Sequence, residues 1–175
     1  QTITSKSDMC PFRDAAESTG LVFQHDNGMF GQRYILEIMG PGSALLDYDR
    51  DGDLDVLLVQ GKSLDPNQQP VAGPANSHRL FQNDLTTDVA GNRILKFTDV
   101  TAAAGLTFSD YGMGATAGDY NNDGHTDLYI TCFGHDRLLR NNGDKTFEDV
   151  TESVGLLTEP AWSTSATWVD FDRDG

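Results

Sequence analysis

Nine consecutive residues, Asp47-Tyr48-Asp49-Arg50-Asp51-Gly52-Asp53-Leu54-Asp55, carry carboxylates at positions 1, 3, 5 and 9 and glycine at position 6. The spacing returns at Asp119-Tyr120-Asn121-Asn122-Asp123-Gly124-His125-Thr126-Asp127, where Asn121 replaces one carboxylate. It begins a third time at Asp170-Phe171-Asp172-Arg173-Asp174-Gly175, before positions 7 and 9 are reached. Oxygen donors at alternate positions of a tight loop turn inward together. Glycine permits the sharp bend, and position 7 offers its backbone carbonyl, so the donor set suits a hard, oxygen-seeking cation. The predicted cation is calcium, Ca2+. Its side-chain ligands are Asp47, Asp49, Asp51 and Asp55 in the first loop, Asp119, Asn121, Asp123 and Asp127 in the second, and Asp170, Asp172 and Asp174 in the incomplete third.

Two other readings compete. An EF-hand loop starts the same way but needs a bidentate glutamate at position 12 and a helix leaving it. Here position 12 is Leu58 or Ile130, within aliphatic runs that read as strands. The flanks ahead of the loops, Gly42-Ser43-Ala44-Leu45-Leu46 and Gly112-Met113-Gly114-Ala115-Thr116-Ala117-Gly118, hold glycines ill suited to a helix. Asp-Gly segments are also ordinary surface turns, yet two complete copies and a partial third in matching flanks count against coincidence. Ligand charge tunes calcium affinity, so counting carboxylates predicts tighter binding by the first loop. Without a cation the clustered carboxylates repel, and a chelator is expected to lower the melting temperature.

At 175 residues the chain can bury one ordinary core. The formal charge of −15, from 12 basic and 27 acidic residues, argues against nucleic acid and anionic membrane surfaces, which need clustered Lys and Arg. No apolar run is long enough to span a bilayer. The chain opens at Gln1, as an exported protein does after processing and as a trimmed chain does too. Cys10 and Cys132 allow one disulfide in an oxidising compartment, and equally two free thiols.

The elements that position the loops repeat with them. Phe97-Thr98-Asp99-Val100-Thr101 with Gly105-Leu106 matches Phe147-Glu148-Asp149-Val150-Thr151 with Gly155-Leu156, and Phe12-Arg13-Asp14-Ala15-Ala16 with Gly20-Leu21 is a weaker copy. The unit is about 50 residues, a period that marks a repeat architecture. Four short strands per unit are predicted: Ser43–Leu46, Leu54–Gln60, Arg79–Gln82 and Ile94–Asp99, then Met113–Ala117, Asp127–Cys132, Arg137–Arg140 and Lys145–Asp149. Asn141-Asn142-Gly143-Asp144 is the hairpin signal between the last two. Surplus residues in the first unit are assigned to a polar, Pro-rich excursion at 63–78, with another near 24–34. Such insertions project from one rim of a repeat array, as passive loops or partner contacts. The expected fold is all-β: β-propeller blades, four-stranded antiparallel units in an incomplete ring.

These residues resemble a known family. The Asp-x-Asp-x-Asp-Gly-x-x-Asp loops with aliphatic strands behind them are similar to FG-GAP (VCBS) repeats, the blades of the integrin α-subunit propeller. Phe97-Thr98-Asp99-Val100-Thr101, Gly112-Met113-Gly114, Leu138-Leu139-Arg140-Asn141 and Trp162-Ser163-Thr164-Ser165 resemble the cartilage acidic protein family and its bacterial ASPIC and UnbV relatives. The resemblance implies a calcium-binding propeller, usually seven-bladed, that is secreted, periplasmic or on the cell surface and acts in adhesion or in protein or glycan recognition. It implies that Asp53 and His125 bind through their carbonyls. Residues 1–175 then hold two full units and the start of a third, with further blades supplied by a longer chain or a larger assembly.

The possible catalytic groups are His25, His78, His135, Ser163, Ser165 and the many aspartates, but no nucleophile elbow, Walker loop or His-Glu-x-x-His is present, and a lone surface or packing histidine is the commoner case. No catalytic constellation is read here. Phe133, Trp162 and Trp168 offer aromatic faces to a sugar, or pack between blades. The alternative function is therefore a carbohydrate-active module, lyase or lectin, on the same calcium-stabilised frame.

Overall fold

The computed structural model describes residues 12–65, 67, 77–157 and 159–172. Cys10, Asp174 and most of the excursion at 63–78 lie outside the described residues. The chain passes through a helical turn (Ala16–Thr19) and a 3-10 turn (Ile35–Ile38) before its first sheet. That sheet comprises β1 (Ser43–Leu46), β2 (Asp55–Leu58), β3 (Arg79–Asn83) and β6 (Phe97–Asp99), all antiparallel and in that order. Between β3 and β6 stands a two-stranded ribbon, β4 (Thr86–Thr87) and β5 (Arg93–Ile94).

The second sheet repeats the arrangement with β7 (Tyr111–Gly118), β8 (Asp127–Gly134), β9 (Arg137–Asn141) and β10 (Phe147–Asp149). A short β11 (Ala161–Trp162) pairs with the far end of β8 at Phe133 and Gly134. The sheets are antiparallel and none closes on itself. The chain is an all-β, incomplete β-propeller.

Strand alternation fills one core between the two sheets. Ala44, Leu46, Leu57 and Leu80 of the first sheet meet Leu128, Ile130, Cys132 and Leu139 of the second, with Ala104, Leu106 and Phe147 completing the cluster. The inner strands approach closely: Gly42 N–H donates to Met113 O at 2.8 Å, and Gly112 N–H to Gln60 O at 3.0 Å. A Cβ at Gly112 would lie 2.3 Å from Val59 Cγ1 and 2.6 Å from His78 Cε1, so only glycine lets the sheets meet there.

The Phe-x-Asp-Val-Thr repeat has a structural task. Asp99 Oδ1 accepts the Thr101 N–H and hydroxyl, and Thr101 Oγ1 accepts the Leu80 N–H, which ties the last strand to its neighbour. Asp149, Thr151 and Leu138 do the same in the second sheet. Arg79 pairs with Asp99, and Arg137 with Asp149. Each motif then makes one helical turn before the next inner strand.

The predicted strands differ from the observed ones at several ends. The second strand of the first unit is shorter than the predicted Leu54–Gln60, and the last strand of each unit begins at Phe97 or Phe147 rather than Ile94 or Lys145, with Ile94 pairing in β5 instead. The inner pair of the second unit is longer, Tyr111–Gly118 and Asp127–Gly134. The surplus of the first unit does not fall wholly at 63–78. Asn83 to Phe97 spans 14 positions where Asn141 to Phe147 spans 6, and the β4–β5 ribbon fills the difference. A tight turn closes that ribbon: Asp88 accepts N–H groups from Ala90 and Asn92.

Candidate metal centre

Each acidic loop links the first two strands of a unit: Asp47–Leu54 joins β1 to β2, and Asp119–Thr126 joins β7 to β8. The backbone winds tightly. Gly52 and Gly124, at position 6, have φ of +90° and +86°, and position 4 is also left-handed, at Arg50 and Asn122 (φ +61° and +59°). The aspartates organise this winding. Asp47 accepts the N–H groups of Asp51 and Gly52 at 3.1 Å, and Asp119 those of Asp123 and Gly124 at 3.1 and 2.7 Å. Position 3 also accepts the N–H of position 5 in both loops. Position 5 accepts the N–H of position 7.

Position 9 is buried and doubly anchored. Asp55 accepts the Tyr48 N–H at 3.0 Å and the Asn83 N–H at 2.8 Å, and Asp127 accepts those of Tyr120 and Asn141 at 3.0 and 2.7 Å. Burial pushes the Asp55 carboxyl up to about 6, against the opposing effect of those two N–H bonds. Burial also raises Asp127, while the His125 N–H, chief among several causes, holds Asp123 below the usual range.

In the first loop, ligand oxygens of Asp47, Asp49 and Asp55 lie within 4.8 Å of one another. Three carboxylates so close, one of them buried, attract a cation (hard oxygen donors fit calcium), and each oxygen that accepts an N–H retains a second lone pair. A positive group already touches the cluster: Lys145 Nζ lies 2.9 Å from Asp49 Oδ2. That contact raises the ammonium's own affinity for its proton. Arg93 Nη2 stands 3.7 Å from Asp53 Oδ1. Among the described residues no Lys or Arg pairs with a carboxylate of the second loop, whose Asp119, Asn121 and Asp123 are exposed. The His125 ring packs over Gly143 in the β9–β10 hairpin of the same unit. Asp170 and Asp172 of the third loop sit on an exposed segment.

The remaining sequence candidates are dispersed. His78 is buried, its Nδ1 accepting the Gln60 N–H at 2.9 Å and its ring edge-on to Phe108. Burial pushes its imidazole down to about 4. His135 is exposed. The ring nitrogens of His25 are shielded from solvent. Burial pushes the Cys132 thiol up to about 12. Phe133 and Trp162 meet edge to face at 6.3 Å and remain 44% and 42% exposed, whereas Trp168 packs edge-on against Tyr129. Motif reading along the chain did not reach Lys145, because its only connection to the first loop is spatial.

Residues 119–175 match the family profile described as an FG-GAP-like repeat. Cartilage acidic protein 1 of Xenopus tropicalis is 29% identical over 104 residues, which cover 59% of this chain and 16% of that protein. The chain thus spans about a sixth of the length of that curated relative. Among the described residues no helix is long and apolar enough to cross a membrane. Repeated loops, repeated sheets and the matched profile agree: the chain carries an FG-GAP-like repeat.

Proposed function

We propose that this chain is a calcium-binding recognition module, two full FG-GAP/VCBS-type units and the start of a third, that works outside the cytoplasm: secreted, periplasmic or at the cell surface. The observation that carries the reading is the convergence of Asp47, Asp49 and Asp55 oxygens within 4.8 Å. Asp51, Asp119, Asn121, Asp123 and Asp127 complete the two ligand sets, and Asp170, Asp172 and Asp174 begin a third. Bound calcium neutralises the loops and stiffens the turn between the first two strands of each unit. The loop backbone prepares the site, since its N–H groups hold the aspartates in place before any ion arrives. The partner is a protein or a glycan that reads the surface so stiffened.

Isothermal titration of calcium into chelator-treated protein tests this. Uptake at both loops, halved by Asp119→Asn with Asp123→Asn, is the expected result. A bound ion stabilises by about 2.7 kcal/mol at a hundredfold excess over its dissociation constant. Melting curves that coincide in chelator and in calcium would refute the reading.

The exposed, edge-to-face Phe133 and Trp162 favour one second reading, a glycan-binding or carbohydrate-active surface. A glycan array probed with the native chain and with Trp162→Ala separates it from protein recognition.

A further inference from the structure

The first acidic loop is not completed by its own unit. The hairpin between β9 and β10, which belongs to the second unit, reaches back across the interface and rests on it. Asn141 Nδ2 donates to Tyr48 O at 2.8 Å, the Tyr48 and Phe147 rings stack at 6.2 Å, and Lys145 Nζ pairs with Asp49 Oδ2 at 2.9 Å. The Asp49 side chain is fully shielded, while that of Lys145 keeps 57% of its exposure. Lys145 itself adopts φ +71°, in the region that favours glycine. A long charged side chain therefore stands where the turn would most easily hold glycine, and its ammonium is set down on a predicted calcium ligand.

We infer that Lys145 is a counter-ion built into the first loop, a charge from the neighbouring unit that lowers that loop's calcium affinity and supports the loop when calcium is absent. The inference rests on the calcium reading above. Counted as bare carboxylates, the first loop has four side-chain anions and the second three, with Asn121 neutral. One ammonium on Asp49 removes that advantage. A unit positive charge beside a divalent ion opposes its entry, and the fixed salt bridge must be strained or exchanged as the ion binds. In the calcium-free protein the same ammonium offsets repulsion among Asp47, Asp49 and Asp55. The first loop is thus coupled to the seating of the second unit in a way that neither unit's sequence contains alone.

The experiment is calcium titration of the full chain carrying Asp119→Asn and Asp123→Asn, so that the first loop alone is read. Into this background go Lys145→Met, which keeps the aliphatic stem, and Lys145→Arg, which keeps the charge. The expected result is that Lys145→Met tightens the remaining site about tenfold, whereas Lys145→Arg stays near the parent. Melting supplies the second readout: without calcium Lys145→Met melts below the parent, and in saturating calcium the gap closes. Unchanged or weaker calcium binding by Lys145→Met would overturn the inference while leaving the calcium reading intact. Failure of the unsubstituted chain to take up calcium at either loop would remove the calcium reading, and this inference with it.

Discussion

Leu106 and Leu156 follow the same Phe-x-Asp-Val-Thr motif at the same offset, yet Leu106 is 1% exposed and Leu156 39%. Ala104 and Val154 differ likewise, at 1% and 43%. The first unit's turn is roofed by the second: Leu106 and Ala104 share a core cluster with Leu128, Ile130 and Phe147, and the Phe147 N–H donates to Ala104 O at 2.9 Å. The corresponding face of the second unit lines an open groove with Tyr120, Tyr129, Leu138 and Trp168. The loops follow the same rule, with Asp47 and Asp49 half-buried and Asp119 and Asn121 exposed. In a stacked repeat, a residue's burial is set by its neighbour as much as by its own unit.

The largest expected effect breaks this comparison at its core. Leu106→Ala removes a fully buried side chain and should destabilise by about 2–5 kcal/mol, whereas Leu156→Ala should cost less than about 1 kcal/mol. Urea unfolding of both variants measures the difference. Equal losses would mean that the second unit's face is covered in solution.

A second test uses the side chains that accept the N–H groups of Gln60 and Cys132. In the first unit His78 Nδ1 accepts the Gln60 N–H; in the second, Asp136 Oδ1 accepts the corresponding Cys132 N–H at 2.8 Å. The imidazole can accept only while neutral. Its folded value of about 4 lies below the ordinary 6.5, so the native state binds fewer protons than the unfolded chain across that window. Stability from this group is whole above pH 6.5 and falls as the pH drops toward 4, by at most about 3 kcal/mol. His78→Asn keeps an acceptor and does not titrate, so stability measured between pH 7 and 4 should fall less steeply in that variant. Matching slopes would show that the first unit's acceptor tolerates protonation.

Much of this was legible along the chain. The aliphatic runs behind each loop placed β2 and β8, and Gly52 and Gly124 marked the sharp bends because few other residues take that backbone region cheaply. What escaped reading acts between strands or between units. Position 9 was predicted as a ligand, but one of the two N–H groups that each of Asp55 and Asp127 also gathers comes from the end of the third strand, which spacing within a loop does not reveal. Asn141 was read only as part of a hairpin turn, and Lys145 and His78 carry no motif; their partners Tyr48, Asp49 and Gln60 lie far from them in sequence. The β4–β5 ribbon escaped because Thr86, Thr87 and Arg93 leave no apolar period and its one aliphatic residue, Ile94, was read into the strand that follows.

The smallest effect isolates a single hydrogen bond between the units. Asn83 and Asn141 hold equivalent places at the ends of β3 and β9, and each donates to a carbonyl of its own loop, Leu54 O or Thr126 O. Asn141 goes further: its Nδ2 also reaches Tyr48 O in the first unit, and its Oδ1 accepts the Gly143 N–H at 2.9 Å. Asn83 Oδ1 is buried without a partner among the described residues. At about 1 kcal/mol per bond, Asn83→Ala should cost about 1 kcal/mol and Asn141→Ala about 2–3 kcal/mol. If Asn141→Ala costs no more than Asn83→Ala, the Tyr48 carbonyl contributes nothing to docking, and the units are joined by apolar packing, the Lys145 contact and the backbone bonds of Gly42 to Met113, Gly112 to Gln60 and Phe147 to Ala104.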